Sequence, residues 1–262
     1  MVYLIVCTVA LIVSALTLFS GFGLGTLLMP AFAVFFPVEV AVGATAIVHL
    51  ANNIFKVVLV GKTADIKIVL KFAVPASVMA VIGALLLNYF ADIKPIAVYT
   101  LAGQTFNIVT VNLVIAVLIA AFAILDLDPR FGKLSFDKKY LPLGGALSGF
   151  FGGLSGQQGA VRAAFLIRSG LETEAFIGTS VVTAVVVDVS RLVVYGTTSF
   201  SKNFTTLNNQ AGIWLVITAT LTAFLGSFIG SRLIKKVTMH TIKVIVGILL
   251  LLVAVVLGVG AV

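Results

Sequence analysis

The nine residues Leu154–Arg162, LSGQQGAVR, interrupt a long apolar run with two glycines, two amides and a guanidinium, and a shorter counterpart, FSGFGLG, stands at Phe19–Gly25. Both open on Ser-Gly: Ser20-Gly21 and Ser155-Gly156. Glycine tolerates backbone conformations that a helix interior does not hold, and it lets another group approach the main chain. Inside a bilayer, freed backbone donors and acceptors survive only where protein or a watery cavity satisfies them. Two such breaks in corresponding positions of two halves are the best sequence pointer to a transporter's binding site.

The composition around these breaks is that of a membrane protein. Of 262 residues 61% are hydrophobic and 10% charged, where a soluble domain has roughly 25% charged, and the mean hydropathy is +1.23. Apolar runs of about 20 residues, enough to cross a hydrocarbon core, recur along the whole length. They are Val2–Phe36 (broken near Gly21–Gly25), Val40–Val60, Ile68–Phe90, Ile96–Leu125, Leu141–Ile167 (broken at Gly156–Gly159), Ala175–Tyr195, Ala211–Ile234 and Thr241–Val262. The first run lacks the charged start of a cleavable signal peptide and is expected to stay. Cys7 is the one cysteine, which excludes an intramolecular disulfide and a cysteine metal cage. The net charge of +8 fits Lys and Arg gathered in cytoplasmic loops better than a nucleic-acid partner.

The halves repeat. A shift of 135 residues lays Ser20 on Ser155, Gly21 on Gly156, Glu39 on Glu174, Gly43 on Gly178 and Gly61 on Gly196. It also lays Thr45 on Ser180, Asn53 on Asp188 and Lys56 on Arg191. Glycine matches come easily in a chain with 24 of them; a matched acid, hydroxyl and base in one register do not. The expected organisation is a first repeat over 1–125, a polar cytoplasmic connector over 126–140 and a second repeat over 141–262.

Loop charge decides how the repeats run. If each broken segment is a re-entrant hairpin, each half has three full spans and the second half is inverted. Lys56, Lys62, Lys67, Lys71, Arg130, Lys133, Lys138, Lys139, Arg232, Lys235, Lys236 and Lys243 then share one face. Lys94, Arg191 and Lys202 stand on the other, with Arg162 and Arg168 in the second hairpin. That bias predicts an all-α polytopic protein of two inverted repeats with its basic face cytoplasmic. At 1.5 Å per residue, Val2–Phe19 is long for a half-helix, so the first hairpin is lopsided or its opening helix a tilted full span.

On these features the chain resembles the TauE/SafE sulfite exporter family, also called the toluene-sulfonate uptake permeases. The resemblance covers nearly the whole chain. It rests on FSGFGLGTLLMP (Phe19–Pro30) and FFGGLSGQQGAVR (Phe150–Arg162), each followed by a span carrying Gly-Ala-Thr (Gly43–Thr45) or Gly-Thr-Ser (Gly178–Ser180). Gln157-Gln158 departs from the family, which commonly has more glycine there. The resemblance implies a secondary transporter in a cell inner membrane, an exporter by the family's name, whose cargo is sulfite, a sulfonate or a carboxylate. No cofactor or metal is implied. The expected partners are that small anion and the bilayer, not nucleic acid; proton coupling and a homodimer stay open.

The residues support an anion site on their own. Thr45, His49, Asn53 and Lys56 fall at helical spacings of four, four and three, hence on one face of one span. Ser180, Asp188 and Arg191 repeat the stripe, with Thr179 beside it and Ala184 in place of His49. Ionisable groups within a membrane are costly and mark pathways; alternatively Lys56 and Arg191 snorkel to the headgroups. Arg162 lies one turn beyond the second break, where it can chelate an oxyanion. Alternatively it pairs with Asp188 or Glu174. A helix starting near Gly159 would add free N–H groups, Gln157 and Gln158 neutral amide donors. Gly156 belongs to this break; Gly21, Gly23 and Gly25 belong to the first. Asp188 and Arg191 can simply pair with each other, and His49 can titrate or serve as a hydrogen-bonded packing residue. Glu39 and Glu174 suit helix N-termini. Thr100, Gln104 and Asn107 are expected on one polar face of the fourth span, for interhelical hydrogen bonds or cavity lining.

No HExxH, Walker loop, nucleophile elbow or cysteine–histidine pair is present, so no catalytic residue is assigned. Three functions remain: a secondary transporter, an anion channel of similar architecture, or a structural membrane protein indifferent to Arg162. Direction and coupling ion are not written in the residues.

Overall fold

A computed structural model describes residues 1–20, 24–101, 103–128, 130, 135–198, 210–233 and 239–261. Among them are ten α-helices: α1 (Val2–Ser20), α2 (Leu24–Ala33), α3 (Val38–Val60), α4 (Ile66–Ala91), α5 (Thr110–Leu127), α6 (Leu141–Ser155), α7 (Gly159–Leu166), α8 (Thr173–Thr197), α9 (Gln210–Leu233) and α10 (Met239–Gly258). Four stretches, Val38–Thr63, Ile66–Ala91, Thr173–Thr197 and Gly212–Gly230, are long and apolar enough to cross a membrane. Val2–Ala15, Leu24–Ala33, Thr110–Leu125 and Gly247–Gly258 are apolar but shorter. The architecture is that of a mostly helical membrane protein.

Local chemistry sets several boundaries. Asp65 starts α4 by accepting from the N–H groups of Lys67 (2.9 Å) and Ile68 (3.1 Å), an N-cap satisfying two donors the helix leaves open. Pro37 precedes α3, and Glu39 sits in its first turn, favourable at the positive dipole end. The second run breaks between Ser155 and Gly159. The first helix ends at Ser20 and its continuation starts at Leu24; Gly21 and Gly23 lie outside the described residues, as does the side chain of Ser20. Lys133, Lys202, Lys235 and Lys236, which enter the charge bias, lie outside them too.

One expected span is corrected. Ile96–Leu125 is not a single helix: β1 (Ala97–Leu101) pairs antiparallel with β2 (Gln104–Ile108) around Gly103, whose φ is 80°, and α5 begins only at Thr110. Thr100, Gln104 and Asn107 therefore sit exposed on this hairpin, not on a helix face, and the chain is not purely α. An open sheet edge has no place in hydrocarbon, so the hairpin belongs outside it. Tyr99 and Phe106 stack at 5.1 Å, and the Tyr99 hydroxyl donates to the carbonyl of Val259 (2.6 Å) just past α10.

The helices join across the two halves. α6 lies parallel to α4, with Gly145, Gly149 and Gly153 directly over the backbone at Phe72, Ala76 and Ala80. In the same way Gly226 and Gly230 of α9 face the backbone of α1 at Leu11 and Ala15. α3 and α8 run antiparallel, Gly178 meeting Val60 and His49 meeting Asp188. α5 and α10 are also antiparallel, with Gly247 against Leu127 and Gly258 against Ala116. Small residues are what permit such approach, and in a bilayer close packing is a main source of helix association. At the centre lies α2, whose Leu28, Met29 and Phe32 are completely buried.

Gly149→Ala should lower stability by about 1–3 kcal/mol, the usual size of overpacking, because its methyl group would fall on the Ala76 carbonyl. Gly196→Ala, in a helix and with nothing within 4 Å, should be neutral or stabilising by about 0.5–1 kcal/mol. Denaturation midpoints in detergent compare the two.

Candidate functional site

Where α6 stops, the backbone turns left-handed at Gly156 (φ 79°, ψ 0°), a conformation glycine adopts without strain. Carbonyls run short of intrahelical donors at a helix end, and α8 reaches two of them here, although Gly152 also accepts from the Gly156 N–H (3.0 Å). Arg191 Nη1 donates to the Gly152 carbonyl (3.1 Å), and the Tyr195 hydroxyl donates to that of Gly153. Arg191 is completely buried and does not snorkel. It closes the C-terminal end of α6.

Asp188 holds Arg191 in turn. Its Oδ1 accepts from Arg191 Nη2 (2.8 Å), Arg191 Nε (3.1 Å) and Gln158 Nε2 (2.9 Å). Its Oδ2 meets His49 Nδ1 at 2.6 Å and accepts from Asn53 Nδ2 at 3.2 Å. One carboxylate thus ties α3, the break and α8 together. The expected Asp188–Arg191 pairing is present, and His49 is buried with its ring hydrogen-bonded to the same carboxylate. Tyr195 was not singled out from sequence, although it extends the stripe Asp188, Arg191 by one more helical step.

At the other end of the break, Gln158 precedes α7, which has no side-chain cap. Its carbonyl accepts from the N–H of Arg162 (3.1 Å) and from the Ser148 hydroxyl (2.9 Å). Arg162 donates from Nε to Ser180 Oγ (2.8 Å) and from Nη1 to Gln158 Oε1 (3.0 Å). It is 5% exposed and, among the described residues, forms no ion pair with Asp188 or Glu174. Gln157 is 3% exposed, and neither Nε2 nor Oε1 has a hydrogen-bond partner. A buried unpaired amide costs about 1–3 kcal/mol, so a protein keeps one only for a reason.

The first half contributes beside it. A Cβ on Gly25 would lie 2.8 Å from the Gly156 carbonyl oxygen and 4.0 Å from the His49 ring, so the start of α2 touches the second break. Thr45 is completely buried with Oγ1 unpartnered. Lys56 is 5% exposed and makes no ion pair among the described residues. Other expected residues are otherwise engaged. Ser155 Oγ turns back to Phe151 O (3.0 Å), and Thr179 Oγ1 accepts from the Asp65 N–H (2.9 Å). Gly159 opens α7. No group of three or more His, Cys, Asp or Glu among the described residues could hold a metal ion.

Broken helices meeting inside a bundle, around buried charge, define a polytopic membrane transport protein. Residues 6–257 match the family described as sulfite exporter TauE/SafE, and the chain belongs to it. That makes it a multi-pass membrane transporter of the sulfite-exporter type. No curated protein and no solved structure matches the chain.

Asp188→Asn should destabilise the protein by about 3–5 kcal/mol, the cost of leaving a buried charge uncompensated. The double variant Asp188→Asn with Arg191→Met should lose less than the single one. Denaturation in detergent of both variants checks the order.

Proposed function

We propose that the chain is a secondary transporter, working as an exporter, that carries sulfite or an organosulfonate across the bacterial cytoplasmic membrane by alternating access between two inverted repeats. The observation that carries this reading is Gln157, a fully sequestered amide with both polar atoms idle, next to an uncapped helix start and one turn from Arg162. A helix N-terminus offers free N–H groups and a positive dipole end to an anion, and a guanidinium adds directed charge-assisted hydrogen bonds. Amide and N–H donors hold an oxyanion without fixing it permanently, which suits cargo that must leave.

The packing supports the inverted arrangement. Helices that correspond under the 135-residue shift, α3 with α8 and α5 with α10, run antiparallel. The starts of α2 and α7, and of α3 and α8, are offset by that same shift. The parallel pair α4–α6 has its counterpart in α9–α1. In this reading the site lies between the repeats, Gly25 and His49 from one facing Gln157 and Arg162 from the other, with Lys56, Thr45 and Ser180 around the guest.

Sulfite should raise the melting temperature of the purified protein. Arg162→Ala and Gln157→Ala should still insert but lose that shift, with affinity down about 10- to 100-fold, the equivalent of a charge-assisted or buried hydrogen bond. Wild-type affinity for sulfite and sulfonates in both variants would sink the assignment. In proteoliposomes, saturable counterflow separates a carrier from a channel.

A further inference from the structure

The buried charges of the site do not balance. Asp188 is the single carboxylate in the cluster, and Arg191 already claims it at 2.8 and 3.1 Å. Gln158 and Asn53 bring it only neutral donors, and His49 Nδ1 lies 2.6 Å from its other oxygen. Two cations are left over. Arg162 touches only the neutral Ser180 and Gln158, and Lys56, 5% exposed, has no hydrogen-bond or ion-pair partner among the described residues. Buried charges are normally paired, because taking a lone ion out of water costs several kcal/mol. Lys56 lies one helical turn beyond Asn53 on α3, and Arg162 holds Gln158 at the break; Asn53 and Gln158 both donate to Asp188, so one guest beside that carboxylate would neutralise both cations.

We infer that the site selects its cargo by charge: it takes small sulfur oxyanions carrying two negative charges and rejects monoanions of the same shape, with Lys56 setting that preference. The inference rests on the anion-site reading above. A dianion leaves the occupied site neutral, whereas a monoanion leaves one buried cation unmatched. Lys56 suits the task because an ammonium is a compact point charge whose donors rotate to meet different oxygens, while Arg162 holds the head group through its planar fork. Sulfite, sulfate and sulfoacetate fall in the accepted class at mildly alkaline pH. Methanesulfonate, which replaces one sulfate oxygen by a methyl group and one charge by none, falls outside it.

The test compares sulfate, sulfoacetate and methanesulfonate on the purified full-length protein at pH 7, where each ligand's charge is fixed, by calorimetry and thermal shift. The wild type should bind the dianions at least tenfold more tightly than methanesulfonate. Lys56→Gln should close that gap by weakening the dianions and sparing the monoanion, and Lys56→Arg should keep it open. The empty Lys56→Gln protein should melt higher than the empty wild type, since an unpaired buried charge is gone; that also shows that the variant folds. Equal wild-type affinity for sulfate and methanesulfonate, or an unchanged ratio in Lys56→Gln, overturns the inference while leaving the anion site standing. Failure of every sulfur oxyanion to bind brings down the anion site itself, and this inference with it.

Discussion

The Asp188 carboxylate is the contact on which the rest of the centre depends. It accepts from α3 through His49 and Asn53, from the break through Gln158 and from its own helix through Arg191. A bare carboxylate in the interior of a membrane protein would be costly. Here every lone pair that matters has a donor, and the donors come from three segments that are distant in sequence. Holding Asp188 ionised therefore means holding α3, the break and α8 in one arrangement. Arg191, kept rigid by Asp188, is then free to close the carbonyl end of α6. This chain of contacts holds the last carbonyls of α6 and the Gln158 amide in place.

The same contacts divide the polar residues of the site into two groups. Asp188, Arg191, Tyr195 and Asn53 are partnered and hold the frame. Gln157 and Thr45 are buried without partners, Lys56 makes no ion pair among the described residues, and Arg162 is held by neutral groups alone. In a well-packed interior nearly all buried polar groups are satisfied; among the described residues the exceptions are in Ser14, Thr45, Asn52 and Gln157, and Gln157 alone leaves both of its polar atoms idle, which supports the proposed site. This distribution is also asymmetric between the halves. Arg191 is locked to an acid three residues before it, while Lys56 has Asn53 at that spacing.

Much of this was legible in the residues. The glycine-rich interruption at Ser155–Gly159 fell where α6 ends and α7 begins, and the stripe Thr45, His49, Asn53, Lys56 is buried as a face because a four-four-three spacing leaves a helix little choice. The hairpin was not legible. Ile96–Leu101 is apolar and uncharged, so it reads as the start of a span, and only Gly103 punctuates a run too short for a strand period to stand out. The closure of α6 by Arg191 and Tyr195 could not be read either, since it depends on which carbonyls a neighbouring helix meets. The spacing Gly145, Gly149, Gly153 was a signal in plain view, a small residue every fourth position, that counting long apolar runs passes over.

That glycine ladder limits how the molecule can move. With α6 seated on the main chain of α4 and no side chains between them to act as a cushion, neither helix can slide or tilt without the other. The seam is a weld, and α1 and α9 share a similar one. Each weld joins a helix from one half to a helix from the other, so under the proposed alternating access a body that rocks as a unit would carry helices from both halves.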